Sequence, residues 1–313
     1  MRRTIAGLIG GLLLSVSCGG PGGQQQQPVS REAQTPDGVH LHLRVVGAGR
    51  QIILLLHGGP GLSLAEMRPY EALRGAGRTL VAYDQRGSGR TVTPAGADYG
   101  IGPQVADLDA VGRTVGTGKV WLIGQSWGGL LAGAYAAAHP DRVAGLALLD
   151  AAPPDLTAFT SGQRAFARRL ARLTAEGVVR SGSAPASGGS CLPALDRTLP
   201  VYAADPRHPP RQPEGITCTA GTAEATFAAV IRPGVLQGIA RGLRSYSGPA
   251  LILSGADDAF GPSWPQAWGS LLPQATRILV PAAGHDPVLE QPAAVLAAVD
   301  RFLRGEPPPV GRH

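Results

Sequence analysis

The sequence predicts an α/β fold: a mostly parallel sheet with helices on both faces and an inserted, mainly helical lid. Three observations carry that reading. Short apolar runs alternate with segments of helical spacing, the pattern of parallel strands joined by crossover helices. Some of those runs are apolar without alternation, such as "QIILLL" before His57, as expected of a strand covered on both faces. Between about Ala151 and Ser247 the alternation stops, and it then resumes for two more strands.

Taken in order, "VHLHLRVVG" from Val39 alternates and reads as an outer strand. "QIILLLHG", "TLVAYDQ", "KVWLIGQS" and "VAGLALLD" follow as inner strands. Between them, "VADLDAVGRTVG" has helical spacing, and "GGLLAGAYAAAHP" is a small-residue helix that Pro140 stops. "PALILSGADD" and "ATRILVPAAGH" supply the late strands, and "PAAVLAAVDRFLRG" closes the chain as an amphipathic helix ending at a glycine. The intervening segment holds the Arg-rich "GQRAFARRLARLTAEG" and the loose "SGSAPASGGSCLPA". A structureless loop of that length is rare in a compact domain, so the segment reads as a helical lid.

The N-terminus stands apart. A basic "MRR", an apolar stretch too short to span a bilayer and a small, polar "SCGGPGGQQQQP" form the three-part pattern of a secretory signal. Cys18 stands where a bacterial lipoprotein signal places its lipidated cysteine; a cleaved secretory signal is the alternative. Gly19 to Pro28 would then be a tether. The expected organisation is a signal and tether over residues 1–29, a core over 30–150 and 248–313, and a lid over 151–247. The expected location is the bacterial periplasm or a membrane-anchored lipoprotein, with secretion as the other outcome.

At 313 residues, 43% of them hydrophobic and 16% charged, the chain can bury one large core. The formal charge of +6 comes from scattered arginines with no dense basic block, and Lys119 is the only lysine. No nucleic-acid partner is expected, and membrane contact only through an N-terminal lipid. With Cys18 set aside, Cys191 and Cys218 remain as an even pair in an exported protein, able to close a disulfide across the lid.

The chemistry gathers at strand ends. "GQSWGG" places Ser126 between a strand and a helix, with glycine two residues before and two after. Such a sharp turn lifts a serine hydroxyl above the sheet and admits only tiny neighbours. A serine needs a base, and on such a sheet the chain order is Ser, acid, His. His285 in "AAGHDP" follows the last strand. The acid belongs after the strand before it, where "SGADDAF" offers Asp258 and Asp257; Asp150 ends an earlier strand and is a further candidate. "HGGPG", His57 to Gly61, closes the "QIILLL" strand at the same end of the sheet. Its bare glycine N–H groups, with the N–H of Trp127, can cradle an oxyanion. His57 precedes the serine and is read as orienting this loop. No cluster of residues has metal-ligand spacing, and no metal or cofactor is expected.

These residues resemble an α/β-hydrolase. "HGGPG", "DQRGSGRT" (Asp84 to Thr91) and "GQSWGG" together resemble the proline iminopeptidase family in particular, over Val39 to Leu149 and Ala250 to Leu303. The resemblance implies Ser126 as nucleophile, Asp258 and His285 as its triad partners, and Gly59 with Trp127 as the oxyanion hole. It implies that Asp84 and Arg86 tie down a loop beside the site. The expected activity is acyl-enzyme hydrolysis releasing the N-terminal residue of a short peptide. A small ester, lactone or amide is the alternative substrate, and a non-catalytic binding protein on the same fold the remote one. The lid departs from the family: it holds no tryptophan, and its candidate acids for a substrate amine are Glu176, Glu214 and Glu224.

Overall fold

The computed structural model describes residues 27–75, 77–116, 118–180, 182 and 189–307. Cys18, the apolar N-terminal stretch and His313 lie outside them. Among the described residues no helix is long and apolar enough to cross a membrane.

Eight strands form one sheet in the order β1-β2-β4-β3-β5-β6-β7-β8. They are β1 (Val29–Gln34), β2 (His40–Gly47), β3 (Gln51–Leu56), β4 (Arg78–Tyr83), β5 (Val120–Gln125), β6 (Val143–Leu149), β7 (Ala250–Gly255) and β8 (Thr276–Val280). β1 and β2 run antiparallel to their neighbours; β4, β3, β5, β6, β7 and β8 are parallel. Each inner strand feeds both faces with alternating side chains. Leu54, Leu56 and Leu122 pack with α1 (Ile101–Val115) and α2 (Trp127–Ala138). Ile53, Leu55 and Ile123 pack with the 3-10 helix Leu64–Leu73 and α9 (Pro292–Leu303). Burial on both faces is why these strands read as unbroken apolar runs.

One edge differs from expectation. The outermost strand is β1, and "VHLHLRVVG" is its inner neighbour. β1 was invisible because in "VSREAQ" only Ala33 is buried, so the strand carries no alternation. β1 begins at Val29, directly after the expected tether and one residue before the expected start of the core.

After β3 the chain moves outward to β4, then crosses back to lay β5 on the other side of β3. At such a switch the loops leaving two neighbouring strands diverge and open a crevice. Here those loops are "HGGPG" and the turn at Ser126.

The lid comprises α3 (Leu156–Ala175), α4 (Leu192–Tyr202) and α5 (Ala220–Val230). Asp155 caps α3 by accepting the Ala158 N–H at 2.7 Å. Cys191 and Cys218 are joined by a disulfide, with Cα atoms 5.1 Å apart. The lid is sewn to the core beside "HGGPG": the Thr219 N–H donates to Gly61 O at 2.9 Å, and the Thr217 N–H to Ser63 Oγ at 3.0 Å. α6 (Val235–Gly242) does not belong to the lid. Its Leu236 and Ile239 pack into the same core as α2, so the core resumes at about Val235, ahead of the expected boundary at 248. α7 (Ser263–Leu271) and the short α8 (Pro287–Glu290) complete the layers.

"DQRGSGRT" is pinned from within. Asp84 accepts the N–H groups of Leu64 at 2.8 Å and Arg90 at 2.9 Å, and His42 Nδ1 lies 3.0 Å from it. Arg86 is 1% exposed and makes a two-pronged pair with the equally buried Asp107, at 2.7 and 2.6 Å. Removing one partner of such a pair strands the other charge. Arg86→Ala is expected to lower unfolding free energy by about 3–5 kcal/mol in a denaturant titration.

Candidate active site

Ser126 sits between β5 and α2 with φ 52° and ψ −115°, a strained conformation for a side-chain-bearing residue. Its neighbours explain the two glycines. A Cβ on Gly124 would lie 2.3 Å from Gly128 O, and one on Gly128 would lie 2.2 Å from Leu56 O. The turn is held by the Ser126 N–H donating to Leu149 O at 2.9 Å and by the Ala152 N–H donating to Ser126 O at 3.0 Å.

His285 Nε2 lies 2.9 Å from Ser126 Oγ, and Nδ1 lies 3.1 Å from Asp258 Oδ1. The ring and the Asp258 side chain are 6% and 5% exposed. The His285 backbone is clamped on both sides: its N–H donates to Tyr202 O at 2.8 Å, and Gln125 Nε2 donates to its carbonyl at 2.6 Å. Phe260 and Tyr202 flank the ring, with centroids 4.7 and 5.5 Å away. Burial alone would push the imidazole down. The charge and hydrogen bond of Asp258, with Asp286 adding to them, outweigh it and hold the ring above its ordinary value.

Of the candidate acids, Asp258 faces the ring. The Asp257 side chain is exposed, and its carbonyl accepts from Arg169 at 3.0 Å. Asp150 is buried beside Asp258 and accepts the Gly255 N–H at 3.0 Å. Asp150, Asp258 and His285 place ligand-type atoms within 4.8 Å of one another. Both His285 nitrogens are already engaged, which leaves that cluster to hydrogen bonding.

His57 is fully buried and acts on the loop. Nδ1 donates to Gly58 O at 2.8 Å, while Nε2 accepts the Gln85 N–H at 3.1 Å. Burial pushes this imidazole below its ordinary value, consistent with a neutral ring. The Gln85 side chain then donates to His57 O at 2.8 Å and accepts from Trp127 Nε1 at 2.8 Å, joining the "HGGPG" loop to the start of α2. The Gly58 N–H is taken by the Glu66 carboxylate. Gly59 (φ 102°) is the next donor along, and Trp127 opens α2, where an N–H has no acceptor within the helix. Gly59, Trp127 and Ser126 line one cavity.

That cavity measures about 540 Å³ and runs between core and lid. Phe159, Phe166, Phe227, Phe260 and Trp264 contribute a cluster of aromatic rings to its wall. Glu176, Glu214 and Glu224 do not line it. Its carboxylates are Glu66, from the 3-10 helix after β3, and Asp286, next to His285. Both are raised above the ordinary carboxylate range, by burial first; for Glu66 the nearby Asp286 adds to it. Nothing local in the sequence marks Glu66: it stands in a helix that was not expected, and only folding brings it to Gly58.

The comparisons with known proteins agree with this architecture. A family model described as alpha/beta hydrolase fold matches residues 51–185. A proline iminopeptidase from Thermoplasma volcanium is 35% identical over 112 residues, which is 35% of this chain and 38% of that protein. The chain thus matches little more than a third of that relative's length. Among solved structures, a proline iminopeptidase from Mycobacterium smegmatis superposes with a TM-score of 0.64 at 23% identity, covering 88% of this chain and 98% of that one. A thermophilic esterase from Thermogutta terrifontis gives a TM-score of 0.60 at 27% identity, covering 90% and 99%. The chain has the α/β-hydrolase fold, and hydrolases surround it.

Glu66 offers a measurable consequence. Its folded-state pKa lies above its unfolded value, so the native protein keeps a proton that the unfolded chain releases. Stability from this group is complete below the unfolded carboxylate range and declines as pH rises through the folded value. Glu66→Gln removes that decline. The Tm difference, variant minus wild type, is expected to grow as pH rises above the ordinary carboxylate range, by roughly 2–4 °C for each kcal/mol recovered.

Proposed function

We propose that this protein is a serine hydrolase that works through an acyl-enzyme. The observation that carries the proposal is the chain Ser126 Oγ–His285–Asp258, with separations of 2.9 and 3.1 Å, opening into the lidded cavity. His285 takes the serine proton as Oγ attacks a carbonyl, and Asp258 holds the ring's tautomer and stabilises the imidazolium. The N–H groups of Gly59 and Trp127 receive the developing oxyanion. His285 then protonates the leaving group and later activates water to release the acyl group.

The substrate reading supported best is the N-terminal residue of a short peptide. Two carboxyl groups, the buried Glu66 and the partly buried Asp286, stand in a largely apolar cavity with no Lys or Arg among its lining residues. Burial favours the protonated form of both groups, and a substrate ammonium would favour loss of that proton and pair with the carboxylate left behind. The core would then supply the amine recognition first sought in the lid. The relatives that are proline iminopeptidases agree with this reading. The aromatic rings favour a second one, a small ester, lactone or amide, which the esterase neighbour also suits. The disulfide supports an exported protein, because such bonds persist in oxidising compartments. Attachment of lipid at Cys18 is part of the same proposal.

The chain from Gln27 onward, offered a proline arylamide and a short-chain nitrophenyl ester, separates these readings. Ser126→Ala is expected to lower kcat on the accepted substrate by about 10⁴-fold or more. Under the peptide reading, Glu66→Gln raises KM for the arylamide at least about tenfold more than for the ester, the worth of one charged contact. Ester turnover alone, equally sensitive to Ser126→Ala, would establish the second reading. Unchanged turnover in Ser126→Ala would overturn the serine mechanism.

A further inference from the structure

Asp150 is a buried acid that the mechanism above does not use. It follows β6 directly, is 1% exposed, and has a φ of 42°, uncommon for a residue with a side chain. Its backbone N–H donates to Leu253 O at 2.9 Å, and its Oδ1 accepts the Gly255 N–H at 3.0 Å. The carboxyl is thereby fixed between the ends of β6 and β7, next to Asp258.

The oxygen count shows what this placement does. Asp258 Oδ1 accepts from His285 Nδ1 and from the Phe260 N–H, both at 3.1 Å. Its Oδ2 is buried without a donor, and so is Asp150 Oδ2. The two carboxyl groups bring oxygens to within 4.8 Å of each other, beside the His285 ring. Two carboxylate oxygens facing each other in a dry interior repel unless a proton lies between them. We infer that Asp150 is a positioning residue for the Ser126–His285–Asp258 chain, carrying a proton on Oδ2 and donating it to Asp258 Oδ2. This rests on the serine-hydrolase reading.

The surroundings agree. Burial first, then the charge of Asp258, drives the Asp150 carboxyl well above the carboxylate range, and Asp286 pushes it further. The other groups facing it are Tyr70 from the 3-10 helix and the His285 ring. Arg169, the cation on the Asp258 side, is occupied with the carbonyls of Asp257 and Ala203. The shared proton does two things. It ties down the second oxygen of Asp258, so that Oδ1 stays aimed at Nδ1. It also keeps the pair at one negative charge, so His285 is not driven so far up that it is protonated when needed as a base.

The test is an NMR titration of the His285 ring in the full chain, in wild type, Asp150→Asn and Asp150→Ala, with ester and arylamide kinetics beside it. Asn keeps a donor for Asp258 Oδ2 and matches the charge of a protonated Asp150. The His285 pKa in Asp150→Asn is therefore expected within about 0.3 unit of wild type, and kcat within about threefold. Ala leaves Asp258 Oδ2 without a donor, and kcat should fall about 10- to 100-fold with KM little changed. A His285 pKa lower by about one unit or more in Asp150→Asn would mean that Asp150 carried a charge, overturning the inference. So would an Asp150→Ala enzyme equal to wild type. If Asp150→Ala does not fold, the Asn titration decides alone. The titration needs no turnover, so its result stands apart from the Ser126→Ala control on which the hydrolase reading depends.

Discussion

The site hangs on the backbone of one residue. Ser126 occupies a conformation that costs on the order of 1–3 kcal/mol, and it keeps that conformation only while its surroundings over-determine it. Gly124 and Gly128 let β5, α2 and the end of β3 approach without a clashing Cβ. Hydrogen bonds to Leu149 and Ala152 lock the turn onto the end of β6 and the chain beyond it. A relaxed Ser126 would swing its hydroxyl away from His285. The sheet, the helix and the neighbouring strand therefore all serve one torsion angle.

A second, polar framework fixes what faces the hydroxyl. His57 spends both ring nitrogens on the loop, one on Gly58 and one on Gln85, and Gln85 carries the connection to Trp127. Asp84 and Arg86 hold the loop after β4 from beneath, through backbone N–H groups and the buried Asp107. Donors that are set before the reaction need no reorganisation when charge develops, and that is where such sites draw most of their advantage over water.

The lid encloses the cavity. The disulfide fastens the start of α4 to the stretch that hydrogen-bonds "HGGPG", so the lid and this loop are mechanically joined. Closure by aromatic side chains lowers the local dielectric, which strengthens the Asp258–His285 pairing and raises the cost of every unpaired acid. Glu66, Asp150 and Asp286 all sit in that dry region, and burial lifts all three. Each answers the pressure through a partner: a backbone N–H for Glu66, a neighbouring carboxylate for Asp150, and the Gln212 side chain for Asp286.

By itself the sequence determined the α/β architecture, the inner strands, the turn at Ser126 and the placement of "HGGPG" at the same end of the sheet. These are local: apolar period, glycine spacing and chain order act within a few residues or follow from how parallel sheets must connect. Tertiary structure decided the rest. β1 has no buried face and so no pattern to read. The resumption of the core at α6 depends on packing against α2, some hundred residues earlier in the chain. The resemblance already singled out Asp258 over Asp257; what the fold added is that the Asp258 side chain turns in to His285 while Asp257 stays exposed. Glu66 and Asp286 reach the cavity, while Glu176, Glu214 and Glu224 stay outside it, because burial and direction are properties of assembled surfaces. A run of residue types carries no record of either.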